Sequence, residues 1–254
     1  MSSLILEYDD LDFTNTVEQW EDSAPKRINI MAVPKRHGGL VQEVPVSDAR
    51  RISISGKIQE QDAITCRTTL DNFSTAFGRF NKKLRMWSDK FVYAYPLGFN
   101  YKFVDGTAAA SAVYTVDFVC ADPFYYYDST GSDSHTLNSS DTSVGGGLYK
   151  EAFTINNTGT VFAYPVITIT ATNTLTTVTV RNLTTGRNFT YTGTVSAGKQ
   201  LVIDCGYFTV TNDGNDDLTN WNGSFLWFNP GNNSMEIEGS VTATYAFAWN
   251  PRTF

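Results

Sequence analysis

Val113–Tyr127 reads VYTVDFVCADPFYYY, and the rest of the chain is organised around it. It opens with strict alternation. Tyr114, Val116, Phe118 and Cys120 share one face, and Thr115, Asp117 and Val119 share the other. Asp122-Pro123 then stops the strand, because proline cannot donate to a ladder and disfavours helix in the residue before it. Tyr125, Tyr126 and Tyr127 follow, and after them the composition changes. Residues 1–130 carry 14 Lys/Arg and 17 Asp/Glu, against 5 and 9 in residues 131–254. The stretch therefore reads as the last strand of a first domain (1–130), an aromatic seam between domains at Tyr125–Tyr127, and the exit to a second.

Upstream, Arg27–Met31 alternates as a strand, and Pro34–Gly39 reads as a loop holding His37. Arg51–Ile58 (RISISGKI) alternates cleanly. The period then changes. Ala63, Cys66, Leu70, Phe73, Phe77 and Phe80 lie on one helical face, which predicts a helix over about 61–78 with Asp62 at its N-terminus. Leu84–Trp87 returns to strand. Phe91, Tyr93 and Tyr95, then Phe99, Tyr101 and Phe103, alternate on either side of Pro96-Leu97-Gly98 and read as an extended aromatic hairpin. The first domain is thus an antiparallel β-structure with one helix laid on it.

Downstream, residues 131–147 are rich in Ser, Thr, Asp and Gly and read as a linker holding His135. Short strands with regular turn signals then fill residues 148–254, the pattern of a β-sandwich. The fold class is mainly β throughout.

The net charge of −7 argues against phosphate-backbone affinity. Lys82–Arg85 is basic but reads as a solvated edge. No apolar run is long enough for a membrane helix, and the N-terminus lacks the basic start and apolar core of a signal peptide. The three cysteines are widely spaced among apolar neighbours and read as buried hydrophobes. No catalytic, cofactor-binding or metal-binding set emerges. His37 and His135 have no ligand spacing, and no nucleophile elbow, P-loop or dinucleotide fingerprint is present. Asn212–Asp217 would need Gly at Leu218 and Glu at Ser224 to be a calcium loop, so Asp213-Gly214 reads as a hairpin turn. Asp117, Asp204, Glu236 and Glu238 all lie in or beside strands and form no identifiable hydrolytic pair. Trp221, between two asparagines, is the one candidate for stacking a glycan ring.

An ordered set of segments carries a resemblance. In the first half it is RISISGKI at Arg51–Ile58, the single helix with Leu70 and Phe73, LRMWSDKFVYAY at Leu84–Tyr95, and VDFVCADPFYY at Val116–Tyr126. In the second half it is Asn156–Thr170, Asn182–Val210 and Phe228–Asn233. Together they resemble the distal tail (Dit) proteins of long-tailed siphophages over nearly the whole chain. The resemblance implies a virion protein at the distal end of the tail, made in the host cytoplasm. It implies a homo-hexameric ring of N-terminal domains around a channel for DNA and tape-measure protein, with galectin-like sandwiches pointing outward. The implied partners are the tail tube, the tape-measure protein and the tail-tip or baseplate proteins that recognise the host. It brings no catalytic residue, no cofactor and no membrane insertion.

The galectin sugar-binding pattern is absent from 148–254, which holds no histidine. For the ring, the aromatic hairpin at Phe91, Tyr93, Tyr95, Phe99, Tyr101 and Phe103 is the candidate inter-subunit arm. The competing readings are a carbohydrate-binding module using Trp221 and a glycan-degrading enzyme.

Overall fold

The computed structural model describes residues 4–24, 26–32, 39–138, 140–240 and 243–254. His37 and the loop before Gly39 lie outside them, as does Val241. The chain divides into two units, Met1–Tyr125 and Tyr126–Phe254. The division falls after Tyr125, earlier than the expected residue 130. Among the described residues no helix is long and apolar enough to cross a membrane.

The first unit contains β1 (Leu4–Tyr8), β2 (Leu11–Asp12), β3 (Val17–Ser23), β4 (Lys26–Ala32), β5 (Gly39–Ser47), β6 (Arg50–Gln59), α1 (Ala63–Phe77), β7 (Lys82–Trp87), β8 (Lys90–Phe103) and β9 (Ser111–Cys120). Its main sheet runs β2-β1-β7-β8-β9-β6-β3, and every pairing on that path is antiparallel. β4 and β5 form a separate two-stranded ribbon.

The helix starts where its sequence says. The Asp62 carboxylate accepts from the Thr65 backbone N–H at 2.8 Å and from its hydroxyl at 3.0 Å, which holds the carboxyl below its usual range. Cys66, Leu70, Phe73 and Phe77 are buried against the sheet. The expected stripe fails at Phe80. The helix ends at Phe77, so Phe80 leaves the helical phase and is 66% exposed.

β9, read as the last strand of the first domain, lies inside its sheet, pairing with β6 on one side and β8 on the other. Gly56 of β6 pairs with Val17 at the start of β3. A Cβ there would stand 2.1 Å from the Thr16 carbonyl oxygen and 2.7 Å from the Tyr114 hydroxyl. Gly56→Ala is expected to destabilise the first unit by about 1–3 kcal/mol, read as a drop in the urea midpoint at unchanged slope.

The second unit is a sandwich of two antiparallel sheets. Its strands are β11 (Gly131–Leu137), β12 (Thr142–Gly145), β13 (Leu148–Asn157), β14 (Val166–Ala171), β15 (Val178–Asn182), β16 (Arg187–Tyr191), β17 (Gln200–Asp204), β18 (Thr209–Asn212), β19 (Asn215–Asp216), β20 (Trp221–Gly223), β21 (Gly231–Ser240) and β22 (Ala243–Trp249); β10 (Tyr125–Tyr127), straddling the division, and β23 (Arg252–Thr253) pair with each other outside these two sheets. One sheet runs β11-β22-β14-β17-β18-β19 and the other β12-β13-β21-β15-β16-β20. Ile167, Ile169, Val180, Phe189, Ile203, Ile237, Tyr245 and Phe247 fill the space between them. Asp213 and Gly214 both have positive φ and close the β18–β19 hairpin as a turn, as their sequence indicates.

The expected linker at 131–147 is corrected. β11 pairs with β22 over seven registered positions, and β12 pairs with β13. Both are edge strands: β12 is exposed throughout, and in β11 only Leu137 is fully buried, so polar composition did not prevent strand formation.

Burial also sets an alkaline limit. It pushes the Tyr8 and Tyr191 hydroxyls up to about 12 from 10, and the Cys120 and Cys205 thiols up to about 12 from 9. The folded chain holds these protons more tightly than the unfolded chain. Their contribution is fully present below the unfolded values and is lost as pH rises through the folded ones. Tm is expected to be insensitive to these groups up to about pH 9 and to fall progressively between about 9 and 12. Calorimetry at fixed ionic strength checks this, and a Tm unchanged at the top of that window would contradict it.

Candidate functional site

The six aromatic residues of the expected hairpin lie on one 14-residue strand, β8. Pro96-Leu97-Gly98 is a bulge in that strand and not its turn. Tyr95 and Pro96 face Val119 and Phe118, but Gly98 faces Asp117, so Leu97 is the extra residue. One inserted residue reverses the parity of everything after it. Phe91, Tyr93 and Tyr95 therefore point away from α1. Phe99, Tyr101 and Phe103 point to its side.

The ring contacts follow from this. Phe99 packs against Phe73 and Phe77 of the helix, at centroid distances of 6.1 and 5.3 Å. Phe91 packs edge-on against Tyr93 and lies beneath the Lys83 ammonium, 4.2 Å from its centroid. Tyr93, Tyr95, Leu97 and Tyr101 remain exposed. The turns of the real hairpins lie elsewhere, between Trp87 and Lys90 and between Phe103 and Ser111.

The three tyrosines separate as well. Tyr125 is buried in the first unit's core, while Tyr126 and Tyr127 belong to the second unit and are half-buried. Tyr125 is held by a polar cluster that the sequence reading did not single out. Arg50 Nη1 donates to both Asp22 carboxylate oxygens, at 2.6 and 2.5 Å, and Arg50 Nε donates to the Pro123 carbonyl at 2.7 Å. The Tyr125 hydroxyl donates to Asp22 Oδ2 at 2.7 Å, and the guanidinium lies 4.4 Å from the Tyr125 ring centre. Burial and then the Asp22 carboxylate push the Tyr125 hydroxyl well above its usual range. A signal for this was present. Arg50 is in phase with Ile52 and Ile54 on the buried face of β6, a position where a charge needs a partner.

Trp221 is not open to a sugar on both faces. Its ring stacks on Phe225 at 4.4 Å, with Phe189 at 6.4 Å. Its buried Nε1–H has no hydrogen-bond partner among the described residues. Trp249 is core, and Trp227 is half-buried beneath Arg187, whose Cζ lies 3.5 Å from the ring centre. His135 stands in β11 and not in a loop. It stacks on Phe153 at 3.6 Å, and its Nδ1 lies 2.8 Å from Glu151 Oε1. Among the described residues, no three His, Cys, Asp or Glu side chains are grouped to hold a metal ion.

This geometry is one of surfaces and braces. Comparison with known proteins points the same way. Residues 158–252 match the family model described as the siphovirus-type tail component, C-terminal domain. No curated protein matches the chain. Among solved structures the chain is similar to the crystal structure of phage SPP1 Dit (gp 19.1), which is described as a paradigm of the hub adsorption apparatus in phages infecting Gram-positive bacteria. The TM-score is 0.71 at 12% identity, over 99% of this chain and 100% of that one. Residues 158–252 are thus similar to the siphovirus-type tail component C-terminal domain, and the chain from end to end has the fold of the SPP1 Dit structure.

Proposed function

We propose that this protein is the hub of a long-tailed phage tail: a ring of six copies at the distal end of the tube. It joins the tube to the tail-tip or baseplate proteins that recognise the host and leaves a channel through which DNA passes. The observation that carries this reading is the tail-component match over residues 158–252 within a chain of Dit fold. The role is structural and needs no catalytic residue.

Features of the first unit support this reading. A closed ring requires heterologous contacts, one patch of each copy meeting a different patch of the next. The β4–β5 ribbon is paired with neither edge of the main sheet. A two-stranded ribbon on its own is marginally stable in water, so a surface on the next copy would complete it. The ribbon, and not a hairpin within Phe91–Phe103, is the proposed arm. The exposed Tyr93, Tyr95 and Leu97 on β8 offer an apolar surface for contacts in the ring.

Light scattering coupled to size-exclusion chromatography, with negative-stain microscopy, tests the reading. The expected result is a ring with six times the 28.2 kDa chain mass. A strict monomer at high concentration, with no ring in the images, would overturn it.

A further inference from the structure

Six rings in the second unit form a row. In order they are Trp227, Phe162, Tyr164, Phe208, Phe225 and Trp221, each centroid within 6.4 Å of the next. Phe162 and Phe208 are exposed and the other four are half-buried. Tyr207, beside Phe208 on the same turn, is 84% exposed.

That turn is built to hold its rings outward. Asp204 Oδ1 accepts from the backbone N–H of both Gly206 and Tyr207 at 2.9 Å, and the Cys205 N–H donates to the Pro165 carbonyl. Phe208 has φ +59, a left-handed conformation that a bulky aromatic residue rarely adopts. Core burial does not compensate this strain, because Phe208 is 56% exposed. A strained conformation that presents an apolar ring to solvent suits contact with another molecule.

The chemistry of the row indicates the kind of molecule. Trp, Tyr, Phe and Arg are the residues enriched at the centres of protein–protein interfaces. Arg187 lies over Trp227, donates to the Phe225 carbonyl at 3.0 Å, and has no carboxylate partner among the described residues. A glycan platform would need polar side chains free for sugar hydroxyls. Beside this row, Asp204 Oδ1 is engaged in its own turn and Asn229 Oδ1 accepts from Trp227 Nε1–H at 3.2 Å.

We propose that the Tyr207-Phe208 turn, with Arg187 beside Trp227 and Phe225, anchors a protein partner. The partner's surface offers an apolar pocket to the two rings and a carboxylate to Arg187. The argument uses residues of the second unit alone and does not depend on ring formation.

The test is to pan a displayed library of random dodecapeptides against the full chain, counter-selecting on the Tyr207→Ala/Phe208→Gly double variant. The expected peptides combine adjacent apolar residues with Asp or Glu. In fluorescence polarisation a synthetic member should bind the wild type and lose at least about tenfold in affinity on Tyr207→Ala or Phe208→Gly. Arg187→Gln should weaken binding several-fold and flatten its salt dependence. Glycine adopts the left-handed conformation freely, so Phe208→Gly should retain its Tm, which separates lost docking from lost folding. Equal binding to wild type and double variant, or no enriched acidic–apolar pattern, would overturn the proposal. So would a cell-wall glycan whose binding is abolished by Tyr207→Ala, or self-association in sedimentation velocity abolished by the same change.

Discussion

Arg50→Ala is expected to destabilise the first unit by about 3–5 kcal/mol, a loss comparable to much of the stability of an ordinary domain. The guanidinium is almost fully buried, with 6% side-chain exposure, and Asp22 opposite it has 18%. Removing Arg50 leaves Asp22 with one remaining partner among these contacts, the Tyr125 hydroxyl. It also leaves the Pro123 carbonyl without its donor and takes the cation from the Tyr125 ring. Each group was desolvated on the condition that it be paired.

The damage should be local to the edge strand β3, which Asp22 ties to the exit at Pro123. Chemical denaturation of Arg50→Ala, Asp22→Ala and the double variant measures it. The double variant should cost less than the sum of the singles, because the second change removes a charge already stranded by the first. Arg51→Ala is the control. Arg51 faces solvent, and its loss should fall within about 0.5 kcal/mol of zero. Simple additivity of Arg50 and Asp22 would show that the two do not act as a pair.

Phe77→Ala is the second large effect, at about 3–5 kcal/mol. Phe77 is 5% exposed and touches five other rings: Tyr8, Phe13, Phe73, Phe99 and Phe118, all within 6 Å. Their positions are fixed by β1, α1, β8 and β9 and by the turn at Phe13, so the site cannot collapse to fill the void. Urea unfolding read by near-ultraviolet circular dichroism reports the loss. Phe80→Ala, three residues on, should change stability by less than about 0.5 kcal/mol. A similar large cost at both positions would show that Phe80 belongs to the helix face after all.

That pair of substitutions marks how far the sequence could be read. Periodicity located α1 to within about two residues, because Asp62 and the apolar spacing act locally. It could not tell that Phe80 lies past the last turn. Alternation gave β6 and β9, each with one face buried by the helix. The bulge at Leu97 was not legible, since it exists only relative to β9. Proline and glycine look the same in a bulge as in a turn. The strands β11 and β12 were missed because edge strands need little apolar surface, and Gly131–Leu137 ends its alternation in only one buried residue, Leu137. The Arg50–Asp22 pair joins residues 28 apart in sequence, and nothing local names the partner. Trp221 stood out by its polar neighbours, yet the turn at Tyr207-Phe208 is far more exposed. Exposure in a β-sandwich depends on which residue a turn lifts outward, and composition does not encode that.

β22 lies between β11 and β14 in its sheet, so Gly131 pairs with Trp249 and Val166 with Ala248. During synthesis this strand leaves the ribosome after both of its neighbours. Until it arrives, β11 has no neighbour and β14 lacks one, so the sandwich cannot close on a partial chain. A ribosome that stalls before Ala243 would release a product with an open sheet, exposed to proteolysis. Closure of this sheet therefore waits on a strand far downstream of β11 in the chain, which couples folding of the sandwich to the translation of β22.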